Sequence, residues 1–275
     1  MRKKYGQNFL INPGTRQALA DALGAQTGDA VWEIGPGLGA MTVLLLEKGL
    51  YVRAFEIDPG FSRVLRLIFS EEKNFFLVEG DVMKTWSGEE AAQYLLGNLP
   101  YSTAAALLAG LIEKGRLFAR MVVTVQKEVA LRMAASAGMP EYSSFSVLCA
   151  SVYHVTPLML IKPSSFYPKP NVDSIGVLLE KRESAAYPPV FYPLVRSLFA
   201  SKRKTVKNNL TDFFASRLGN TLQDGVSARD LCASLLSENG LCGKERAQEL
   251  GQEVFLALAK SVENMQNRLK DVNRR

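Results

Sequence analysis

A short strand-like run that passes through a cluster of glycines into a helix is the feature that most constrains this chain. Residues 30–34 (AVWEI) are typical of a buried strand, and residues 35–40 (GPGLGA) follow at once. A helical apolar pattern then covers 41–48 and ends at Gly49. Glycines in this position let a polar or anionic ligand approach the backbone N–H groups at the start of a helix. The pattern is that of a nucleotide-binding unit, although taken alone it is a weak signal.

Strand-like and helix-like segments alternate over the first two-thirds of the chain. Further strands are predicted at 51–55, 75–78, 94–98 and 120–125, with helices between them, and two later strands at 152–155 and 172–180 are predicted to form a hairpin with a long, ordered loop. Alternation of this kind predicts an α/β fold, in which a largely parallel, Rossmann-like sheet is covered by helices on both faces.

The composition changes near residues 181–189, where charged residues and a Pro-Pro pair indicate a linker. After it, helical spacing dominates, with helices expected at 190–200, 203–217, 227–237 and 244–262 and a loose polar tail at 267–275. The sequence therefore predicts two domains, 1–183 and a small all-helical domain at 184–275. The basic N-terminal arm carries Phe9, Leu10 and Ile11, and these apolar residues predict that the arm docks on the first domain.

Acidic residues occur at or near the ends of three successive predicted strands. Glu33 lies in the first strand, Glu56 ends the second about 20 residues after the glycines, and Asp81 follows the third. An acid at the end of the second strand, such as Glu56, accepts hydrogen bonds from ribose hydroxyls, and Asp81 can accept one from an adenine amino group. Any one of the three alone is explained as a solvated turn residue. Together they favour an adenosine-containing cofactor, either NAD or S-adenosylmethionine.

The fourth predicted strand ends at Asn98, and the Asn98, Leu99, Pro100 and Tyr101 stretch suits a planar ring that carries an exocyclic amine. Pro100 restricts the backbone, the Asn98 side chain and nearby carbonyls supply acceptors, and Tyr101 supplies a flat face. An ordinary strand-to-helix turn is the alternative explanation. Hydride chemistry needs an acid or base that does not stand out here, whereas methyl transfer depends mainly on positioning, so S-adenosylmethionine is favoured over NAD.

The chain carries a formal net charge of +6, with 33 Lys and Arg against 27 Asp and Glu, which favours a polyanionic partner. A single His and three scattered Cys argue against a metal cluster and are typical of a reducing compartment. No signal peptide and no apolar run of membrane-spanning length is found, so a cytoplasmic protein is expected. Phosphate contacts are predicted for six basic residues, although a charge run is more often a solvated surface. They are Lys3, Lys4, Lys202, Arg203, Lys204 and Lys207.

Four motifs, in this order, resemble those of the ribosomal RNA adenine N6-dimethyltransferases, and the resemblance covers essentially the whole chain. They are residues 7–10 (QNFL), 33–39 (EIGPGLG), 98–101 (NLPY) and 166–174 (FYPKPNVDS). The family implies a class I methyltransferase fold, S-adenosylmethionine as methyl donor, and dimethylation of two adjacent adenosines near the 3′ end of small-subunit rRNA. The expected partner is small-subunit rRNA within an immature small ribosomal subunit, and a monomer is expected.

The resemblance also assigns roles to particular residues. The base-binding and catalytic set is Asn98, Leu99, Pro100, Tyr101 and Phe166, with the Tyr101 and Phe166 rings enclosing the target adenine. The cofactor set is Asn8, Leu10, Gly35, Gly37, Glu56, Ile57, Asp81, Val82 and Asn98, and no metal ligand is expected. This chain departs from the family pattern at 102–105 and near Ser143 and Ser144, where altered packing is expected.

Three other functions are compatible with the same residues. One is a large-subunit rRNA adenine methyltransferase of the antibiotic-resistance type, which resembles this chain in fold and chemistry. Another is a ribosome assembly factor in which the methyltransferase site is vestigial, although the intact 98–101 motif argues against it. An NAD-dependent oxidoreductase is the third, and a binding comparison between S-adenosylmethionine and NAD distinguishes it.

Overall fold

Nine strands lie in the part of the chain that the computed structural model describes, which is residues 7–86, 92–183, 187–218 and 227–272. In chain order they are β1 (Phe9–Leu10), β2 (Ala30–Ile34), β3 (Tyr51–Glu56), β4 (Phe75–Glu79), β5 (Tyr94–Asn98), β6 (Arg120–Gln126), β7 (Tyr153–Ile161), β8 (Phe166–Tyr167) and β9 (Ser174–Lys181).

The same residues form eleven α-helices and two short 3₁₀ helices, at Pro163–Ser165 and Ala247–Glu249. The α-helices are α1 (Pro13–Ala22), α2 (Thr42–Glu47), α3 (Pro59–Ile68), α4 (Val82–Thr85), α5 (Ala104–Glu113), α6 (Lys127–Ala134), α7 (Ser144–Val152), α8 (Phe191–Phe199), α9 (Val206–Leu218), α10 (Ala228–Glu238) and α11 (Gln252–Val272). No helix among the described residues is both long enough and apolar enough to cross a bilayer.

The main sheet has seven strands in the order β4-β3-β2-β5-β6-β9-β7. β2 to β6 are parallel, whereas β9 pairs antiparallel with both β6 and β7. Strands that follow β2 are added first on one side, as β3 and β4, and then on the other, as β5 and β6. The carboxyl ends of β2 and β5 therefore flank the point where the chain reverses direction across the sheet, which is where α/β sheets bind ligands. The predicted parallel sheet and the hairpin of β7 and β9 are confirmed.

The N-terminal arm docks by strand pairing. β1 pairs antiparallel with β8, with Phe9 opposite Tyr167 and Leu10 opposite Phe166, and Leu10 is buried. Helix α1 then begins as expected from its sequence, because the Asn12 side chain accepts a hydrogen bond from the Thr15 amide at 2.9 Å. The predicted docking of the arm is confirmed, although its partner strand is not evident from local pattern.

Contacts divide the chain into two units, 1–134 with 152–183, and 135–151 with 184–275. The second unit has its own apolar core, built from α8 to α11 and from Ala135, Tyr142 and Val147. Within this unit the Tyr142 hydroxyl donates to the Leu250 carbonyl at 3.1 Å. The sequence interpretation placed 135–151 in the first domain, and the structure instead packs this segment among the helices of the second unit.

Two further predictions about the second unit are corrected. The single helix expected at 244–262 is a 3₁₀ turn followed by α11, which begins only at Gln252. The tail was expected to be loose from residue 267, but α11 continues to Val272. Polar composition is compatible with helix as well as with coil, and the apolar residues of α11 such as Phe255 and Leu258 hold its first turns on the core.

Candidate active site

The glycine loop after β2 is held against the end of β3 by one carboxylate. Gly35 and Gly37 have φ of +71° and +59°, a region that glycine occupies without strain. Glu56 Oε2 accepts a hydrogen bond from the Gly37 amide at 3.0 Å, and Oε1 accepts one from the Asp58 amide at 2.8 Å. Burial raises the pKa of Glu56, and these two backbone hydrogen bonds oppose that rise. Glu56 is therefore fixed in position, and its further lone pairs remain for a hydroxyl-bearing ligand.

Asn98, at the end of β5, is oriented by the N-terminal arm. Its amide nitrogen Nδ2 donates to the Asn8 carbonyl at 2.7 Å. The reverse orientation would set two oxygens against each other, so Oδ1 is the atom left as an acceptor. The next residue, Leu99, is buried, and its amide donates to the Thr124 carbonyl of β6 at 3.1 Å. The acceptor of Asn98 is thus held by two elements that are far apart in sequence.

Tyr101 is anchored at the other end of the same turn. Its hydroxyl forms a 2.5 Å hydrogen bond with Ser174 Oγ, which is completely buried at the start of β9. Burial raises the pKa of Tyr101, so the phenol stays neutral at physiological pH. Pro100 lies in the turn before α5, and its carbonyl accepts the amides of Thr103 at 3.1 Å and Ala104 at 2.9 Å. Tyr101 therefore lies in the turn that leads into α5, and its hydroxyl is anchored to the start of β9.

One cavity of about 60 Å³ brings most of the predicted set together. Its walls come from the arm, the glycine loop, the end of β3 and the turn after β5. The lining residues are Gln7, Asn8, Phe9, Gly35, Gly37, Glu56, Ile57, Asn98, Leu99, Pro100 and Tyr101. A Cβ built on Gly37 would lie 2.8 Å from the Phe9 ring, so the arm closes directly over the glycine loop.

A second cavity, of about 250 Å³, shares Phe9, Gly35 and Asn98 with the first and extends toward α1 and α2. Leu10, Arg16 and Glu33 also line it. Glu33 is 2% exposed, accepts a hydrogen bond from Thr42 Oγ1 at 2.6 Å, and has its pKa raised to about 7, chiefly by burial. Sequence reasoning did not identify Arg16, because a single arginine on an exposed helix pattern carries no signal.

Phe166 is not brought to either cavity. Its side chain is 1% exposed and belongs to an apolar core cluster that includes Leu10 and Leu19, whereas Tyr167 beside it is 62% exposed. The structure therefore does not place Phe166 on the wall of either cavity, and its contact with the target adenine stays a prediction. In β8 the two side chains point to opposite faces, and the pairing with β1 turns Phe166 inward.

Asp81 and Val82 lie beside the site without lining either cavity. Asp81 caps the short helix α4, since its Oδ1 accepts the Met83 amide at 3.0 Å, and Val82 is buried. The Gly80 amide donates to the Glu56 carbonyl at 2.8 Å, so the chain that leads from β4 to Asp81 is attached to the end of β3. Lys3 and Lys4 lie outside the described residues.

The basic residues of the second unit form a surface around the start of α9. Lys202, Arg203 and Lys207 are exposed, whereas Lys204 forms a 2.8 Å ion pair with Asp212, an acid that the sequence interpretation did not count. Backbone hydrogen bonds from Val206 to Glu245 and from Lys207 to Gly243 attach the 242–246 loop to this surface. That loop adds two exposed cations that sequence reasoning missed, Lys244 and Arg246.

The strand order, the glycine loop and the strand-end acid together define the Rossmann-like fold of class I methyltransferases. A dimethyladenosine transferase from Plasmodium falciparum superimposes with a TM-score of 0.77 at 30% identity, covering 93% of this chain and 98% of that one. The 23S rRNA methyltransferase ErmE superimposes over 93% of this chain and all of its own, with a TM-score of 0.66 and 20% identity, which supports the fold alone.

Sequence comparison identifies the family to which this chain belongs within the class I methyltransferases. The family model for ribosomal RNA adenine dimethylases matches residues 1–236. A ribosomal RNA small subunit methyltransferase A from Treponema denticola is 44% identical over 268 residues, covering 94% of this chain and 88% of that protein. A protein of the same name from Bacillus pumilus is 32% identical, covering 94% and 90%. The chain belongs to the ribosomal RNA adenine dimethylase family.

Proposed function

We propose that this chain transfers methyl groups from S-adenosylmethionine to the N6 atoms of two adjacent adenosines near the 3′ end of small-subunit rRNA. The observation that carries the proposal is the Asn98 amide, which the Asn8 carbonyl orients so that an acceptor remains beside the Tyr101 ring in a cavity that also contains Glu56. The curated relatives named above support the choice of small-subunit rRNA. We further propose that the chain acts in the cytoplasm as a monomer, without a metal, on an immature small subunit.

The residues present fit an adenosine-containing methyl donor. Glu56 offers carboxylate lone pairs for ribose hydroxyls, the Gly35–Gly37 loop permits close approach, and Asp81 with Val82 stands at the next strand end for the adenine. Asn98 lines both cavities, and Leu10 lines the second. When bound, S-adenosylmethionine supplies an electrophilic methyl group attached to a positively charged sulfur.

The protein's part in the reaction is to orient a weak nucleophile. The N6 lone pair of adenine is delocalised into the ring, and accepting its two hydrogens makes the nitrogen more pyramidal. Asn98 Oδ1 accepts one hydrogen. For the other, the geometry favours the Leu99 carbonyl over that of Pro100, which already accepts two amides of the α5 start. The Tyr101 ring stacks on the base, worth about 1–3 kcal/mol, and offsets the cost of unstacking it from RNA.

Glu56 and the Gly35–Gly37 loop would hold the methyl donor, which would supply a methyl group to N6, and the proton released from nitrogen would pass to water. A strong general base is therefore not required before attack, and positioning supplies most of the rate. The same two acceptors serve the second transfer with one hydrogen fewer. The pocket must then also accommodate one N6-methyl group.

The direct test is to incubate the protein with S-adenosylmethionine and immature small ribosomal subunits, digest the RNA, and measure N6,N6-dimethyladenosine by mass spectrometry. Naked large-subunit rRNA is treated in parallel. Product on the small subunit alone is expected. Product only on large-subunit rRNA would replace the proposed substrate, and absence of product on both, with the methyl donor still bound, would favour an assembly role.

Replacing Glu56 with Gln is expected to weaken binding of S-adenosylhomocysteine about tenfold, because the amide NH₂ cannot accept both backbone N–H groups that the carboxylate now accepts. Isothermal titration measures the change. Glu79→Gln is the matched control, since Glu79 ends the neighbouring strand β4 in register with Glu56 but forms a surface ion pair with Arg66. If Glu56→Gln and wild type bind S-adenosylhomocysteine with equal affinity, Glu56 does not contribute to cofactor binding.

Neutralising Lys202, Arg203 and Lys207 together is expected to make the salt dependence of RNA binding shallower by about two to three units in the slope of log K against log salt. Lys204 is left in place because its ion pair with Asp212 already neutralises it. The triple variant Arg229→Gln, Lys260→Gln, Arg268→Gln removes the same charge from other exposed positions of the second unit and serves as control. The same slope in both triple variants would exclude this surface from RNA contact.

A further inference from the structure

The motif at residues 166–174 contacts the turn after β5 through its last residue. Phe166, at the start of the motif, is buried in an apolar core cluster. Ser174, at its end, forms the 2.5 Å hydrogen bond between its Oγ and the Tyr101 hydroxyl. The motif is therefore attached to the 98–101 turn by a side-chain hydroxyl.

The sheet fixes the position of the Ser174 hydroxyl. Ser174 is completely buried, and as the first residue of β9 it lies opposite Gln126 of β6 and Ile161 of β7. Strands on both sides hold its main chain, and the single side-chain torsion of a serine offers three staggered positions for Oγ. A buried hydroxyl needs a hydrogen-bond partner, which Tyr101 supplies. Ser174 is thus a rigid anchor for the ring that approaches it.

The ring of Tyr101 is the part of the turn that needs such an anchor. Tyr101 is half-buried and lines the first cavity beside Asn98. The main chain fixes its Cα, but χ2 of a tyrosine lies in a broad well, so the ring plane is only loosely defined by the turn itself. Because a phenol O–H lies in the plane of its ring, the bond to Ser174 fixes the tip of the side chain and favours one ring plane.

The same pair of strands holds the other end of the turn. The Leu99 amide donates to the Thr124 carbonyl of β6 at 3.1 Å, and Thr124 lies opposite Gly176 of β9. Ser174 is two residues before Gly176 on that strand. The acceptors of the turn and the ring of Tyr101 are therefore both attached to the β6–β9 pair, which sets the spacing between them. A misplacement of about 1 Å at reacting groups can cost about 100-fold in rate.

We propose that Ser174 is a positioning residue for methyl transfer, which acts through the Tyr101 hydroxyl to hold the base-stacking ring at a fixed spacing from Asn98. The inference rests on the proposed function and deepens it by assigning a role to a completely buried serine. The second transfer depends on this spacing more than the first. Adenine presents two N6 hydrogens to the acceptors of the turn, whereas N6-methyladenine presents one, so stacking on Tyr101 supplies more of its orientation.

The test is a double-mutant cycle. Tyr101→Phe keeps the ring and removes its hydroxyl, whereas Ser174→Ala removes the anchor. Single-turnover rates are measured on immature small subunits with saturating S-adenosylmethionine, and mass spectrometry quantifies monomethyl- and dimethyladenosine. Each single variant is expected to slow the second transfer by about tenfold, so that N6-methyladenosine accumulates. The double variant is expected to stay within about twofold of the slower single variant, because both substitutions break the same bond.

The controls separate positioning from folding and from cofactor binding. Ser151→Ala is the matched control, because Ser151 is also completely buried and its Oγ donates to the Leu148 carbonyl at 2.7 Å. This variant is expected to keep the wild-type rate and product ratio. The dissociation constant for S-adenosylhomocysteine is expected to stay within about twofold of wild type in every variant, because only alignment of the base is altered. Melting temperatures establish which variants fold.

Two results would overturn the inference. One is a wild-type ratio of monomethyl- to dimethyladenosine in Ser174→Ala. The other is a double variant in which the two single effects multiply, since the two hydroxyls would then act independently. If Ser174→Ala does not fold, Tyr101→Phe decides alone, and a wild-type product ratio in that variant overturns the inference. Absence of methylated adenosine with the wild type would instead overturn the proposed function itself, and the inference with it.

Discussion

Asn98→Ala is expected to lower the rate of methyl transfer by about 100- to 1000-fold while RNA binding stays within a few-fold of wild type. A pre-oriented polar group at a reacting atom contributes most when it needs no rearrangement, and removal of one such group from an enzyme site typically costs a rate factor of this size. Here the Asn8 carbonyl fixes the amide at 2.7 Å, so Oδ1 is already in place before RNA arrives.

Single-turnover assays on small subunits with saturating methyl donor measure this rate, because they separate chemistry from product release. Asn74→Ala, which removes a comparable amide from the loop before β4, is the control and is expected to keep wild-type activity. The monomethyl product should be reduced together with the dimethyl product, since both transfers use the same acceptor. Full turnover by Asn98→Ala would refute the proposed role of the 98–101 turn.

The arrangement of this site could be predicted from sequence where it depends on local order. The β2–glycine–α2 unit, the strand-end position of Glu56 and the turn at Asn98 each follow from a short contiguous pattern, and a parallel sheet necessarily brings its strand ends to one edge. The predicted residues that line the first cavity are all carried by such patterns or by the docked arm.

What the sequence could not provide depends on pairing between distant segments. Whether Phe166 or Tyr167 faces inward is set by the β1–β8 register, and a two-residue strand has no periodicity of its own. Likewise, Ser174 supports the Tyr101 hydroxyl across 73 residues. Lys244 lies at the basic surface because backbone hydrogen bonds attach its loop to the start of α9, far away in sequence from Lys202.

The difference in the free energy of unfolding between wild type and Glu33→Gln is expected to change with pH. Between pH 4.5 and pH 8, wild type is expected to lose about 3 kcal/mol relative to the variant. Burial raises the pKa of Glu33 from 4.5 to about 7, with the nearby Glu56 charge adding to the rise and the Thr42 hydrogen bond opposing it. Between these values the folded protein holds a proton that the unfolded chain has released. The contribution of the Glu33 carboxyl to the stability of the folded protein is therefore complete below pH 4.5 and is lost as pH rises through 7.

Urea unfolding of both proteins across this pH range measures their free energies of unfolding. Subtracting one from the other cancels the titration of groups that the two proteins share. Gln keeps a carbonyl acceptor for Thr42 but has no charge, so its curve lacks the Glu33 contribution. Glu72→Gln, at an exposed position, is expected to show no such trend against wild type. A constant difference between wild type and Glu33→Gln would mean that the Glu33 carboxyl stays solvated in the folded state.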